Sequence, residues 1–279
     1  MAHEFEVGCS LDYWVHRPAT LVFNIQAAQF ARQVVVDEAL TFTPASSVEC
    51  VTMASGNRFV RAHAERGWLR AEYRATVRLD LLVTDPVHVH EVPVERLPLE
   101  VLTYLNPSRY CQSDRLSVFA QRVFGWRAPG HHRVGAICNW VCDSVEYSSG
   151  SSDGMTSATD TLLERHGVCR DFAHLAIALC RALGIPARYV SAYAWRLHPP
   201  DFHAVFEAWL EGPEGGGWYL FDPTRKSAAD GVVRIGVGMD AGEVAFCNIF
   251  GVVDGEVPRV WIRGPEGVSE VTTMAVTTV

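Results

Sequence analysis

The sequence predicts an α+β protein, with a β-rich part in residues 1–105 and a second part in residues 106–279 where helices precede strands. Three observations support this prediction. Short segments rich in Val, Phe and Thr, divided by turn-forming residues, fill roughly the first hundred positions. Apolar residues at helical spacing begin near Ser113, and consecutive strand-like segments follow from Ala187. Helices followed by strands, without regular alternation of the two, favour an α+β domain.

The strands predicted in residues 1–105 are short, and turn formers such as Pro44 and Gly67 separate them. They are Ala19–Gln26, Phe30–Val36, Leu40–Thr43, Val48–Met53, Phe59–Ala64 and Trp68–Val77. The last one alternates strictly between apolar residues on one face and charged or polar residues on the other. Such alternation is typical of an antiparallel strand with one solvated face. The first part is therefore expected to be an antiparallel, sandwich-like domain.

The second part begins after a proline-containing connector, Pro86–Pro107. The predicted helices are Ser113–Phe124, His132–Val145, Thr159–Arg165 and a longer helix that has Cys169 in its first turn and runs through Leu183. We expect His166-Gly167 to end the third helix as a C-cap. The fourth helix is apolar on nearly all sides, which indicates that it is buried.

Strands are predicted to follow the buried helix. They are Ala187–Ala194, Ala204–Leu210, Trp218–Phe221 and Val232–Val237. The tail Val260–Val279 contains Val and Thr runs that indicate one or two closing strands. These tail strands are compatible with either sheet.

The charge balance excludes some classes of partner. The chain carries a formal net charge of −8 and contains no basic cluster. Without excess Lys and Arg to neutralise phosphates, neither nucleic acid nor an anionic membrane is an expected partner. The sequence also lacks the ~18 consecutive apolar residues of a membrane span.

The cysteine pattern bears on the compartment. The eight cysteines form no CxxC pair, and the first residues lack the basic and then apolar pattern of a secretory signal. We therefore expect mostly reduced thiols in a cytoplasmic protein.

Cys169 is the strongest candidate nucleophile. It follows a glycine-containing break and lies in the first turn of the buried helix. A helix N-terminus offers unpaired N–H groups and the positive end of the helix dipole, which favour a thiolate over a thiol. The alternative role for a cysteine is core packing, and we assign that role to Cys180, which lies among leucines further along the helix.

His203 and Asp222 stand at the ends of two successive predicted strands. His203 begins the strand in DFHAVFEAWL, and Asp222 ends the strand in GWYLFDPT. A strand end can hold an imidazole rigidly while its ring lies at the surface of a cleft. A carboxylate on the neighbouring strand can accept a ring N–H and fix the tautomer. Taken alone, Asp222 would be read as an Asp-Pro turn, but with Cys169 the three residues form a nucleophile, a base and an orienting group.

Longer stretches around these residues resemble a known family. GVCRDFAHLAIALCRALGIPARYVSAY, FHAVFEAWL and GWYLFDPT are similar to the transglutaminase-like core of bacterial proteins and eukaryotic transglutaminases. Residues 1–105 resemble the β-rich N-terminal domain that accompanies this core in bacteria, and the resemblance covers nearly the whole chain. It implies a papain-like arrangement, in which a helix bearing the cysteine packs on an antiparallel sheet. It also implies the same catalytic triad: Cys169, His203 and Asp222.

Other residues in the sequence are candidates for metal or cofactor binding. A zinc site could be assembled from His131-His132, Cys138 and Cys142, but structural zinc sites usually contain CxxC-type pairs. No calcium-binding loop and no phosphate-binding glycine loop is recognisable, so no cofactor and no metal is expected. His174 lies five residues after Cys169, on a different side of the helix, and is not expected to be the base.

The predicted function is that of a cysteine-dependent acyl-transfer enzyme. It would act on amide bonds of peptides or proteins through a thioester, and hydrolysis is favoured over transfer to an amine. A protein-glutamine transglutaminase and a non-catalytic binding or scaffold module with the same fold are the alternatives. Trp140, Tyr147 and Ser151 are candidates for lining the cleft, and the sequence does not assign the second oxyanion donor to any of them.

Overall fold

A computed structural model describes residues 2–265 and 274–277. The first region contains seven strands: β1 (Ala2–Val15), β2 (Ala19–Phe23), β3 (Gln33–Thr43), β4 (Val48–Thr52), β5 (Arg58–Ala64), β6 (Gly67–Asp80) and β7 (Leu82–Thr84). Three short 3-10 helices form the connector: Pro86–His88, Val94–Arg96 and Leu99–Leu105. None of the helices in the described ranges is both long and apolar enough to cross a bilayer.

Among the described residues, the second region contains four helices and ten strands. In chain order they are α1 (Ser113–Phe124), α2 (His131–Ser144), β8 (Glu146–Tyr147), α3 (Ala158–Glu164), β9 (His166–Gly167), α4 (Cys169–Ala182), β10 (Ala187–Ala194), β11 (Phe202–Gly212), β12 (Gly215–Phe221), β13 (Val232–Gly238), β14 (Cys247–Phe250), β15 (Val253–Gly255), β16 (Arg259–Arg263) and β17 (Ala275–Thr277). A single 3-10 turn at Ala229–Gly231 precedes β13.

The N-terminal strands form two antiparallel sheets with an apolar core between them. One sheet has the order β15-β1-β6-β3, with β16 also pairing with β1, and the other has the order β14-β2-β5-β4. Their buried faces contribute side chains such as Phe5, Leu21, Phe23, Val60 and Tyr73 to one core. The prediction of a sandwich-like first part is confirmed.

The alternation predicted for Trp68–Val77 is also found. Leu69, Ala71 and Tyr73 are buried, whereas Arg70 and Glu72 between them are exposed. The prediction for the neighbouring strand was wrong in one respect, because Phe30–Val36 and Leu40–Thr43 belong largely to the single strand β3. The pairing of β3 with β6 shifts register between Val35 and Asp37. A bulge can absorb an extra residue within one strand, so the polar Asp37–Glu38 pair does not end it.

The α+β part centres on a four-stranded antiparallel sheet with the order β12-β11-β10-β13. Helix α4 packs on β10 and β11, and its buried side chains lie in a core shared with α1 and α2. The predicted arrangement, in which the helix bearing the cysteine packs on an antiparallel sheet, is confirmed. The C-cap of α3 was misplaced by one residue, because Arg165 takes the left-handed conformation (φ 61°) and His166-Gly167 forms β9.

The strands after β13 return to the N-terminal sheets. Strand β14 pairs with β2, β15 and β16 pair with β1, and β17 pairs with β7. The sequence left open which sheet the tail would join, and the part of the tail in residues 266–273 and 278–279 lies outside the described residues. The domain boundary at residues 105 and 106 stays a prediction.

Two side-chain amides from the N-terminal part bind the outer edge of β13. The Gln33 amide accepts from Arg234 N–H (2.9 Å) and donates to Arg234 C=O (2.8 Å). The Asn57 amide makes the same pair of bonds with Val237, both at 2.8 Å. Each amide thus takes the place of one residue of a further strand along this edge, where the Ala28 N–H also donates to the Arg234 carbonyl (2.9 Å).

Strands β10, β11 and β13 also share a buried ionic triad. Glu207 on β11 accepts from Arg188 Nε (2.7 Å) and from Arg234 Nε (2.6 Å). Burial raises the pKa of Glu207, but the two guanidinium groups outweigh it and hold the pKa below its usual range. The Arg188 guanidinium also lies over the Trp218 ring, 4.2 Å from its centroid. The ionic triad therefore links three strands of the sheet that carries His203.

Candidate active site

Cys169 is the first residue of α4, and the turn before it is held tightly. The Asp171 carboxylate accepts the Val168 N–H (2.8 Å), and the Val168 carbonyl accepts the Asp171 N–H (2.9 Å). Arg170 donates to the buried Asp171 carboxylate at 3.1–3.2 Å. A Cβ at Gly167 would come within 2.8 Å of the Asp171 Cβ, which explains the glycine there. The half-buried thiol is thereby fixed at the helix N-terminus, as predicted from the sequence.

His203 and Asp222 meet across β11 and β12. Phe206 is paired with Phe221 in this antiparallel ladder, so Asp222 leaves β12 on the side where His203 enters β11. The His203 Nε2 and the Asp222 Oδ2 lie 2.9 Å apart. The structure therefore brings together the histidine and the aspartate that the sequence selected.

The turn after β12 supplies further donors to Asp222. Thr224 donates to Oδ1 through its N–H (2.8 Å) and its hydroxyl (2.7 Å). Ser227 donates to Oδ2 through its N–H (2.9 Å) and its hydroxyl (2.7 Å). Arg225, between them, has φ 55°, a left-handed conformation that reverses the chain. Asp222 is thus both the Asp-Pro turn residue and the partner of His203.

The pKa values of His203 and Asp222 are shifted in opposite directions. Burial raises the pKa of Asp222, but His203 and the hydrogen bonds from Thr224 and Ser227 outweigh it and lower the pKa to about 2. Burial lowers the pKa of His203, but the charge and hydrogen bond of Asp222, with a smaller effect from Cys169, raise it to about 10. The arrangement favours an imidazolium beside a carboxylate.

The other ring nitrogen of His203 is left for the thiol. The His203 Nδ1 is buried and makes no hydrogen bond of ordinary geometry. The Cys169 side chain nevertheless lies close enough to raise the pKa of the ring. A loose cysteine–histidine contact is common in a site without substrate. The prediction that the ring lies at the cleft surface was wrong, because the ring is only 1% exposed and the turn holding Thr224 folds over it.

A cavity of about 900 Å³ opens beside Asp222. Basic side chains from two loops line part of it, namely Arg196, His198, Arg225 and Lys226. Arg225 is held by Asn139 (2.7 Å) and Asp143 (3.2 Å), both from α2. The side of the site next to Asp222 is therefore basic, although the chain as a whole is acidic.

The three residues predicted to line the cleft lie in different surroundings in the structure. Tyr147 is paired with Gly167 and packs on Phe172 of α4, near Cys169, whereas Trp140 packs against Phe119 and Phe124 of α1. Ser151 donates to the Ser148 carbonyl (2.7 Å) within its own loop. Thr224 and Ser227 were missed by the sequence analysis, although a Thr and a Ser that closely follow an Asp-Pro turn are a usable signal for side-chain donors.

The residues considered for other roles are engaged elsewhere. The buried His174 ring stacks on Tyr110 and accepts the Ala241 N–H at its Nε2 (3.1 Å). The His131 ring packs on Phe221, and Cys142 donates to the Thr224 carbonyl (3.8 Å). Within residues 2–265 and 274–277, no group of three or more His, Cys, Asp or Glu side chains is placed to hold a metal ion.

We expect iodoacetamide to alkylate Cys169 much faster than the other seven cysteines. Its thiol stands at a helix N-terminus next to a histidine that is poised as an imidazolium, and both stabilise the thiolate. His203→Ala should slow this alkylation, by about 10-fold or more, because the positive charge is lost. Peptide mapping by mass spectrometry measures the rate at each cysteine. Exposed Cys50 is the internal reference, and equal rates at Cys50 and Cys169 would contradict the prediction.

Two family models match the chain. The model of the transglutaminase-like superfamily matches residues 118–223, a range that contains all three candidate residues. The model of the bacterial transglutaminase N-terminal domain matches residues 3–100.

Individual proteins are similar over different lengths. A solved structure, that of a candidate cysteine protease from Cytophaga hutchinsonii, is 40% identical and covers 99% of this chain and 98% of that chain, with a TM-score of 0.92. Uncharacterized proteins of Mycobacterium leprae and Mycobacterium tuberculosis are 32% identical over 154 residues and 38% identical over 159 residues. These matches cover 50% and 53% of this chain and 52% and 50% of the relatives, so the chain spans about half the length of the curated relatives it matches.

Proposed function

The chain belongs to the transglutaminase-like superfamily, and we propose that it is a cysteine-dependent enzyme that hydrolyses amide bonds of peptides or proteins through a thioester. The observation that carries the proposal is the buried His203–Asp222 pair beside a cysteine at a helix N-terminus. Burying a charged pair is costly unless it is well bonded, and a histidine with a perturbed pKa in such a place is typical of a catalytic site.

The geometry supports a specific division of labour. The Cys169 thiolate would attack the amide carbon, so that the sulfur–carbon bond forms and the carbonyl π electrons move to oxygen. When the carbonyl re-forms, the carbon–nitrogen bond breaks and the amine leaves with a proton from the His203 imidazolium. Water, deprotonated by the then neutral His203, would cleave the thioester and regenerate the thiolate. Asp222 keeps the ring oriented and does not itself exchange protons.

Hydrolysis is favoured over amine transfer for two reasons. The Cys169 side chain is half-buried rather than enclosed, so water can reach a thioester there. The relative that is 40% identical along nearly its whole length is described as a candidate cysteine protease. Peptides or proteins are therefore the proposed substrates. The cytoplasmic location stays a prediction; an exposed free thiol at Cys50 suits a reducing compartment.

The test is to offer glutamine-containing peptides to the purified protein with and without a primary amine, and to resolve the products by mass. We expect conversion of Gln to Glu, or cleavage of a backbone amide, to proceed without the amine, because water resolves the thioester. An amine conjugate that dominates when amine is present would instead indicate a transglutaminase. No product from any peptide, with or without amine, would favour the scaffold alternative.

A further inference from the structure

The cavity of about 900 Å³ beside Asp222 combines positive charge with apolar surface. Four exposed basic side chains line it, and we call it the basic cavity: Arg196, His198, Arg225 and Lys226. They come from the loop before β11 and from the turn after β12, the segments that precede His203 and follow Asp222. Buried side chains such as Leu220 and Phe221 form part of the wall. The basic cavity therefore adjoins the His203–Asp222 pair.

The acidic groups around the basic cavity do not cancel its charge. Asp222 is the only acidic residue among the described residues that line it, and its carboxylate is already bound by His203 (2.9 Å). Arg225 is bound by Asp143 (3.2 Å), so that pair adds little to the balance. Lys226 has no such carboxylate partner within the described residues. The cavity therefore keeps a net positive charge for a ligand to neutralise.

Lys226 links the basic cavity to the turn that carries the nucleophile. Its ammonium lies 4.3 Å from the centre of the Tyr147 ring, and a ring face orients a cation without neutralising it. The Tyr147 ring in turn lies 5.8 Å from the Phe172 ring in the first turn of α4. The Lys226 N–H donates to the Thr224 hydroxyl (3.2 Å), which fixes the backbone as well. A ligand that meets Lys226 is therefore close to the start of α4.

The size of the basic cavity and the charge of the whole chain narrow the class of ligand. A volume of about 900 Å³ is in the range of sites for small molecules or short peptide segments, and a duplex or a bilayer surface would not enter it. The net charge of −8 also disfavours a large polyanion. A single carboxylate is affected mainly by charges within the screening length of about 8 Å, where the basic groups lie.

We propose that the basic cavity is a specificity subsite for acidic side chains of the peptide substrate, with Lys226 as the cation nearest to the nucleophile. The inference rests on the proposed function, because it assigns a substrate class to the same site. A carboxylate side chain near the amide under attack would pair with Lys226, and its apolar neighbours would pack on the buried wall. Such a pair is partly solvated, so its effect on affinity should be moderate.

The test measures binding apart from turnover, by calorimetry with the Cys169→Ala protein. Peptides with both termini capped carry one Glu, Met or Lys at each position in turn around a central glutamine. These three side chains are similar in length and differ in charge. At the best position, we expect the Glu peptide to bind about three- to fivefold more tightly than the Met peptide, and the Lys peptide more weakly than either.

Variants of Lys226 assign the preference to this side chain. In the Cys169→Ala background, Lys226→Met should reduce the preference for Glu over Met to less than about twofold, and Lys226→Glu should abolish it. Lys226→Arg keeps the charge and should retain it. The matched control is Arg66→Met, which removes an exposed cation from the turn between β5 and β6 and should leave the preference unchanged.

Chemical modification gives a second measurement on protein that is already folded. Lys226 is the only lysine in the chain, so acetylation with sulfo-NHS acetate neutralises no other lysine side chain. It should reduce the preference as Lys226→Met does. The same treatment of the Lys226→Met protein controls for the N-terminal amine and should have no further effect.

The outcomes for the inference and for the proposed function are distinguishable. Equal affinity for the three peptides at every position, no detectable binding of any peptide, or a preference that persists in Lys226→Glu would overturn the inference. Turnover of peptides by the wild type without this preference would leave the proposed function standing. A preference in binding with no turnover of any bound peptide by the wild type would count against the proposed function alone.

Discussion

Cys169→Ala is expected to reduce product formation from peptide amides by about 10⁶-fold, to background, as removal of the nucleophile does in other triad enzymes. The reason is that no other thiol is placed to replace it. Cys180, eleven positions further along α4, is fully buried, and burial raises its pKa beyond the range in which a thiolate forms. The measurement is the initial rate with the glutamine-containing peptides, resolved by mass.

Two further variants provide comparisons for the loss of activity expected in Cys169→Ala. Cys50→Ala removes an exposed thiol on β4 and should leave the rate unchanged. Asp222→Ala should leave a reduced but measurable rate, since the carboxylate orients His203 and does not itself accept the proton. Activity that persists in Cys169→Ala would refute both the nucleophile and the proposed mechanism.

Glu207→Ala is expected to lower the free energy of unfolding by about 3–5 kcal/mol, the cost typical of removing one partner from a buried ion pair. Glu207 and Arg234 are almost completely buried and the Arg188 side chain is only 8% exposed, so loss of Glu207 leaves two positive charges largely away from water. One of the three strands joined by the ionic triad, β11, also carries His203. Partial unfolding of this sheet should therefore abolish activity as well. Urea unfolding followed by circular dichroism measures the effect.

The matched control lies four residues away on the same strand. Glu211 pairs with Arg96 at 2.8 Å, but both side chains are substantially exposed, so Glu211→Ala should cost no more than about 1 kcal/mol. The dependence of stability on pH gives an independent check that the charged form of Glu207 stabilises the folded protein. Because the pKa of Glu207 is lower in the folded protein, its contribution is present above the ordinary glutamate range and is lost as the pH falls through the folded pKa. Equal costs for the two variants, or a Glu207 variant with unchanged acid sensitivity, would contradict the prediction.

The candidate site could be predicted because each of its three residues is marked locally. Cys169 follows a glycine break at a helix start, and His203 and Asp222 stand where two strands begin and end. Each position is marked by turn-forming residues or by the end of a helix or strand within a few residues, and such local signals are readily recognised in a sequence. The order of the four helices and of strands β10 to β13 was predictable for the same reason, whereas strand β1 (Ala2–Val15) was not among the predicted strands.

The features that were missed depend on pairings between distant segments. Glu207 lies on the face of β11 expected from alternation, but its partners come from β10 and β13, and only the sheet order brings them together. The bulge in β3 exists because β6 fixes the register on both sides of it. Likewise, Tyr147 lies beside the turn that precedes Cys169 because β8 pairs with β9, and a two-residue strand leaves almost no pattern in a sequence.

The hydrogen bonds that the Gln33 and Asn57 side-chain amides make to β13 have a consequence for dividing the chain into separate parts. A strand with a free row of N–H and C=O groups recruits strands from other molecules, and this is a common route to aggregation. A fragment that starts after the connector would keep the sheet with His203 but lose both amides, and the edge of β13 would be open to another copy of itself. The N-terminal part therefore covers this edge of β13, and we expect the α+β part to self-associate when it is produced alone.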